Sequence, residues 1–133
     1  MIRVLLIALA ILVAACSPDP VTPERPILIL ISIDGFRWDY LDRYEAPTIR
    51  RLADSGVRAE GLIPQFPSKT FPNHYTIVTG LRVANHGIIS NNMRDAEIPG
   101  TFSLSNREVQ ADPRWWGGEP IWNTAEKQGR VAA

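Results

Sequence analysis

A chain of 133 residues suits one domain or part of one. Lys plus Arg number 14 and Asp plus Glu number 14, and a net charge of zero argues against a polyanion-binding surface and against an acidic disordered tail. The single cysteine, Cys16, excludes an intramolecular disulfide and a cysteine-built zinc site, and the 11 prolines predict long connecting loops.

In chain order, Met1-Ile2-Arg3 supplies a short positive start, and residues 4–15 form an unbroken apolar run. That run is shorter than the about 20 residues a membrane-spanning helix needs, and it fits the apolar region of a secretory signal. Leu12-Val13-Ala14-Ala15-Cys16 resembles the bacterial lipobox. That resemblance implies lipidation of Cys16, with residues 1–16 as a lipoprotein signal. A plain signal peptide with a chance cysteine is the competing reading. Residues 17–26 hold four prolines and no apolar period, and read as a tether. Ser17 after the cysteine resembles the outer-membrane class of bacterial lipoproteins. The expected location is therefore the outer membrane, facing the periplasm of a Gram-negative bacterium.

Residues 27–33 are continuous, apolar and mostly β-branched, the pattern of a strand covered on both faces of a parallel sheet. Pro47-Thr48 opens a predicted helix through Ser55, with Ile49, Leu52 and Ala53 on one face and Gly56 as its stop. A second short strand is predicted over 57–62. A helix follows over 71–79, with Pro72 in its first turn and Gly80 just past its end. The stretch 91–116 lacks a clear period and reads as a long surface excursion. A last helix is predicted over 120–128, with Ile121, Trp122 and Ala125 as packing residues and Gly129 ending it. Residues 130–133 look like the start of another strand. This alternation argues for α/β layering around a mostly parallel sheet. A sheet interrupted there leaves apolar edges uncovered, so a truncated domain is expected.

Several residues are chemically suggestive. Asp34 follows the first predicted strand, where open α/β sheets bind ligands and a carboxylate can hold a divalent cation. Asp34-Gly35 is equally a turn pair. Thr70 precedes a predicted helix, where a hydroxyl is ordinarily an N-cap, and where backbone N–H groups also favour phosphate. A threonine becomes a nucleophile only when something lowers its pKa, as a metal does. Asn91 can hydrogen-bond a phosphoryl oxygen, or simply occupy a turn. His74 lies inside the predicted helix as a packing or hydrogen-bonding residue, and His86-Gly87 reads as a turn.

Together these segments resemble the nucleotide pyrophosphatase/phosphodiesterase family of the alkaline phosphatase superfamily. The matching motifs are Ile31-Ser32-Ile33-Asp34-Gly35-Phe36-Arg37 and Phe66-Pro67-Ser68-Lys69-Thr70-Phe71-Pro72-Asn73-His74-Tyr75. Thr79-Gly80, His86-Gly87-Ile88 and Trp115-Trp116-Gly117-Gly118-Glu119-Pro120-Ile121-Trp122 extend the match over 27–133. The resemblance implies a truncated, alkaline-phosphatase-like three-layer sandwich, with residues 27–133 as the N-terminal part of a catalytic domain. It implies metal-dependent hydrolysis of phosphodiester or pyrophosphate bonds in nucleotide-type substrates. Thr70 would be nucleophile and metal ligand, and Asp34 a metal ligand. Asn91 would contact phosphoryl oxygens, and Phe71 would face a nucleotide base. Two Zn²⁺ are expected in the intact fold, one helping to ionise the threonine and one the leaving oxygen. The family's further aspartate and histidine ligands lie outside these motifs, so this chain supplies part of the site and is expected to be inactive alone. Ser68-Lys69-Thr70 lacks the proline a sulfatase needs at this place. A superfamily phosphomonoesterase and a degenerate, non-catalytic lipoprotein are the alternatives.

Overall fold

The computed structural model describes residues 26–133. The predicted signal, Cys16 and all of the tether but Pro26 lie outside the described residues. The described residues fall into two units, one ending at Leu30 and the other spanning Ile31–Ala133. In the first, residues 26–30 are exposed and carry no regular structure.

The second unit is built from six short α-helices, one 3-10 turn and one hairpin among the described residues. The helices are α1 (Tyr40–Arg43), α2 (Pro47–Ser55), α3 (Thr70–Thr79), α4 (Val83–His86), α5 (Arg107–Gln110) and α6 (Ile121–Lys127). The 3-10 turn spans Pro113–Trp115. Strands β1 (Asn92–Met93) and β2 (Phe102–Ser103) pair antiparallel, with Met93 opposite Phe102. No helix of the described residues is long and apolar enough to cross a membrane.

Three predicted helices form. Pro47 opens α2 and Gly56 follows its last residue. α3 ends at Gly80, whose φ of 68° lies in the left-handed region that glycine enters without steric cost and whose N–H bonds the Thr76 carbonyl. Pro120 caps α6 at its start. The apolar faces of α2 and α6 stay open, with Leu52, Ile121 and Trp122 exposed.

The predicted strands do not form. Residues 27–33 and 57–62 carry no ladder, and Ile27, Ile31 and Val57 are 92%, 72% and 99% exposed. Residues 130–133 are likewise irregular. A strand exists only through a hydrogen-bonded ladder to a neighbour, and no ladder reaches these segments among the described residues. After α2 the chain is instead tied to α1 by Arg58, which donates to both Asp42 oxygens at 3.2 and 3.0 Å.

The main apolar core comes largely from the stretch read as a surface excursion. Tyr75 and Ile88 pack with Met93, Phe102 and Trp115, and Phe71, Val78, Ile98, Val109 and Trp116 close around them. Phe102 is completely buried, its ring 5.6 Å from Phe71, 5.6 Å from Trp115 and 5.4 Å from Trp116. These tilted and edge-on contacts suit the aromatic quadrupole and add to the area each ring buries. The Trp116 indole N–H finds the Gln110 carbonyl at 2.7 Å, so its polar tip is satisfied. His86 is not a turn residue. It ends α4 fully buried, with its Nδ1 accepting from Ile88 N–H at 3.1 Å and its Nε2 3.0 Å from Thr76 Oγ1. Burial pushes the His86 pKa below the ordinary histidine value, against the opposing pull of the Pro72 and His86 carbonyls. The core thus grips one face of α3, from Phe71 through Tyr75 to Val78, with Pro72 buried as well.

Candidate functional site

Thr70 is the first residue of α3, not its N-cap as predicted. Lys69 holds the extended cap position and offers no side-chain cap bond. The cap work falls to Asn91. Asn91 Oδ1 accepts from Phe71 N–H at 3.0 Å, satisfying one of the donors a helix start leaves open. Asn73 Oδ1 accepts from Gln65 N–H at 2.7 Å, while its Nδ2 donates to the Lys69 carbonyl at 3.0 Å. The loop before α3 is thereby pinned to the helix it introduces.

Freed from capping, the Thr70 hydroxyl donates to Asp34 Oδ2 at 3.2 Å, across 36 residues. Asp34 sits in a turn with Gly35, whose φ is 65°, so the turn reading and the site reading coexist. The Asp34 side chain is 65% exposed, open to a ligand from solvent. On its other oxygen, Oδ1, His74 Nε2 approaches to 3.9 Å. His74 Nδ1 in turn lies 2.7 Å from Ser32 Oγ.

Asn91 and Lys69 complete the neighbourhood. Because Asn91 Oδ1 is engaged by Phe71 N–H, the orientation of the amide is fixed by that bond, and its Nδ2 hydrogens are left for a ligand. Lys69 Nζ reaches Ser90 Oγ at 3.4 Å, one residue before Asn91. Phe71 is half-buried, its ring 5.6 Å from Phe102 and 5.9 Å from Trp116, so the core holds one side of it.

The structure therefore brings together Asp34, Thr70, Asn91 and Phe71, the four site residues expected from sequence within the described part. Sequence reasoning missed Ser32 and the contact of His74 with the site. Both had a signal. Ser32 stands two residues before Asp34, and His74 stands four residues after Thr70, on the same helix face.

The spacing of donors fits a cation. Two oxygens on a tetrahedral zinc, each at about 2.0 Å, lie about 3.3 Å apart. Asp34 Oδ2 and Thr70 Oγ1 lie 3.2 Å apart. No group of three or more His, Cys, Asp or Glu gathers among the described residues.

Residues 28–133 match the family described as type I phosphodiesterase / nucleotide pyrophosphatase. The chain is 48% identical over 124 residues to ectonucleotide pyrophosphatase/phosphodiesterase family member 3 of Rattus norvegicus, covering 90% of this chain and 14% of that protein. It is 49% identical over 122 residues to a venom phosphodiesterase of Naja atra, covering 90% of this chain and 15% of that one. An uncharacterized pyrophosphatase/phosphodiesterase of Schizosaccharomyces pombe is 54% identical over 101 residues, covering 75% of this chain and 21% of its own. The chain thus spans about one seventh of the length of the rat and cobra relatives.

Proposed function

Since the chain belongs to the type I phosphodiesterase / nucleotide pyrophosphatase family, we propose that the intact protein hydrolyses phosphodiester or pyrophosphate bonds of nucleotide-type substrates with Thr70 as nucleophile. The observation that carries this reading is the Thr70–Asp34 contact at 3.2 Å, at the start of a ten-residue helix.

The helix start favours an anion, because the peptide dipoles leave partial positive charge there. A phosphate ester seated at Thr70 would meet the Asn91 Nδ2 donors beside it, and the Lys69 ammonium adds positive charge nearby. Asp34 and Thr70 are the residues that would hold a zinc ion, joined by donors from the remainder of the catalytic domain. When bound, such an ion supplies the lowered hydroxyl pKa that a threonine nucleophile requires. Without the ion, the Thr70 hydroxyl donates to Asp34 Oδ2 at 3.2 Å, which keeps the two oxygens side by side. A bond forms from Thr70 Oγ1 to phosphorus as the bond to the leaving oxygen breaks. The threonine proton passes to solvent, and the leaving oxygen takes one up. Water then attacks the same phosphorus, releases the phosphate product and returns a proton to Thr70. Asn91 hydrogen-bonds the phosphoryl oxygens as charge gathers on them. Phe71 offers the unburied side of its ring to a base.

The same reading makes residues 27–133 the N-terminal part of a catalytic domain with an alkaline-phosphatase-like three-layer sandwich. It supplies the neighbours that the apolar run 27–33 lacks. From the lipobox resemblance we also propose that the mature protein is lipid-anchored through Cys16 on the periplasmic face of the outer membrane.

The test is turnover of a chromogenic phosphodiester by the full-length protein with added zinc. The parent protein turns it over and Thr70→Ala does not. A Thr70→Ala variant with near-parental rate would remove the nucleophile assignment.

A further inference from the structure

We infer that His74 is a positioning residue that orients the Asp34 carboxylate, and that Ser32 fixes the imidazole which does so. This rests on the reading of Asp34 as a cation ligand.

Thr70 and His74 are four residues apart on α3, and helical side chains lean toward the N-terminus. The imidazole therefore comes up beneath the Thr70 hydroxyl. The two Asp34 oxygens are divided between these two side chains. Oδ2 takes the Thr70 hydroxyl at 3.2 Å, and Oδ1 faces His74 Nε2 at 3.9 Å. His74 is not a core histidine. It stands outside the buried apolar cluster, with its side chain 32% exposed.

The far side of the ring decides its tautomer. Ser32 Oγ lies 2.7 Å from Nδ1, and a serine hydroxyl either donates or accepts. If Nδ1 carried the proton, the Nε2 lone pair would point at a carboxylate. If Ser32 donates to Nδ1, the proton sits on Nε2 and its positive end faces Oδ1. The second arrangement is electrostatically favoured. A separation of 3.9 Å is too long for a direct hydrogen bond, so the interaction is that of an N–H dipole with a carboxylate, which a small carboxylate rotation or one water would tighten. Ser32 thus sets the tautomer, the tautomer restrains Oδ1, and Oδ2 stays turned toward Thr70. Groups that orient a metal ligand in this way typically change metal affinity by about 10–100-fold when removed.

The experiment uses the full-length protein with zinc alone as the probe, its affinity read by competition with a chromophoric chelator at fixed pH. His74→Leu is expected to weaken zinc binding by about 10–100-fold. His74→Gln, which restores an N–H near the Nε2 position, should recover most of that loss. Ser32→Ala should fall between, and should add little in the His74→Leu background, because the two act as one unit. In the metal-free protein, imidazole ¹⁵N shifts should show Nδ1 unprotonated and Nε2 protonated, and Ser32→Ala should relax that preference. Unchanged zinc affinity in His74→Leu overturns the inference. A loss far beyond 100-fold without rescue by His74→Gln also overturns it, because His74 would then be a direct ligand. Should His74→Leu fail to fold, the exposed Ser32→Ala change carries the test, and parental zinc affinity there overturns it. A parent protein that binds no zinc would instead defeat the reading of Asp34 itself.

Discussion

Asn91 has two faces, and they can be separated by substitution. Its Oδ1 accepts from Phe71 N–H at 3.0 Å, a structural bond at the start of α3. Its Nδ2 hydrogens are the proposed phosphoryl contact. Asn91→Asp keeps an acceptor for Phe71 N–H and makes that bond charge-assisted at the positive end of the helix. It also replaces the proposed donor with a negative oxygen directed at the phosphate. Stability should therefore hold or rise by about 0.3–1 kcal/mol, the usual worth of an acidic group at a helix start. Turnover should fall by more than the about 10²–10³-fold, or roughly 2.7–4 kcal/mol, lost when a single oxyanion donor is removed, because repulsion adds to the missing bond. Asn91→Ala loses both faces. It should show the about 10²–10³-fold loss in kcat and an additional stability cost of about 1 kcal/mol for the half-buried Phe71 N–H. The assays are kcat and KM for a chromogenic phosphodiester, and urea unfolding of the same preparations. Asn91→Asp with near-parental kcat would refute the phosphoryl role. Asn91→Asp that unfolds as readily as Asn91→Ala would refute the capping role.

Other perturbations test the frame around the site. Phe102→Ala removes a fully buried ring that touches Phe71, Trp115 and Trp116, and should cost about 3–5 kcal/mol in urea unfolding. Gly117→Ala would place a methyl 2.9 Å from the His86 carbonyl oxygen, a backbone atom that cannot swing away, and should cost about 1–3 kcal/mol. The lowered His86 pKa makes the unfolded chain bind more protons than the folded one in mild acid. Its stability contribution should be full above about pH 6.5, and should fall as pH drops from there through the folded-state pKa. The urea midpoint of His86→Gln should lose that part of the pH slope, and an unchanged slope would contradict the assignment. Cys16→Ala should move the protein out of the membrane fraction, and retention there would contradict the lipid anchor.

The legible parts of the fold were those with local punctuation. Pro47 with Gly56, Pro72 with Gly80, and Pro120 at the start of α6 each mark a helix by the chemistry of its ends, independent of tertiary contacts. Residues 27–33 and 57–62 have the composition of strands, but strand formation needs a partner that composition does not supply. The opposite error hid the core. β1 and β2 are two residues each, too short to show a period, so in sequence Met93 and Phe102 look like loop residues although they anchor the core cluster. At the site, the pairing of Asp34 with Thr70 followed from motif resemblance, and the chain does bring them together. The displacement of Thr70 from N-cap to first helical residue is not readable in the sequence, because it depends on Asn91 accepting from the helix-start Phe71 N–H from 20 residues downstream. The contact of Ser32 with His74 spans 42 residues, and only the period-two and period-four spacings to Asp34 and Thr70 hinted at it.

The central claim is that Thr70 Oγ1 becomes covalently bonded to phosphorus during turnover. It is tested most directly by quenching the full-length protein in acid during hydrolysis of a nucleotide diester and sequencing its peptides by mass spectrometry. The account predicts a nucleotidyl adduct on Thr70 in the peptide that carries Phe71 and Pro72, absent in Thr70→Ala. An adduct on another side chain, with Thr70 unmodified, would contradict it.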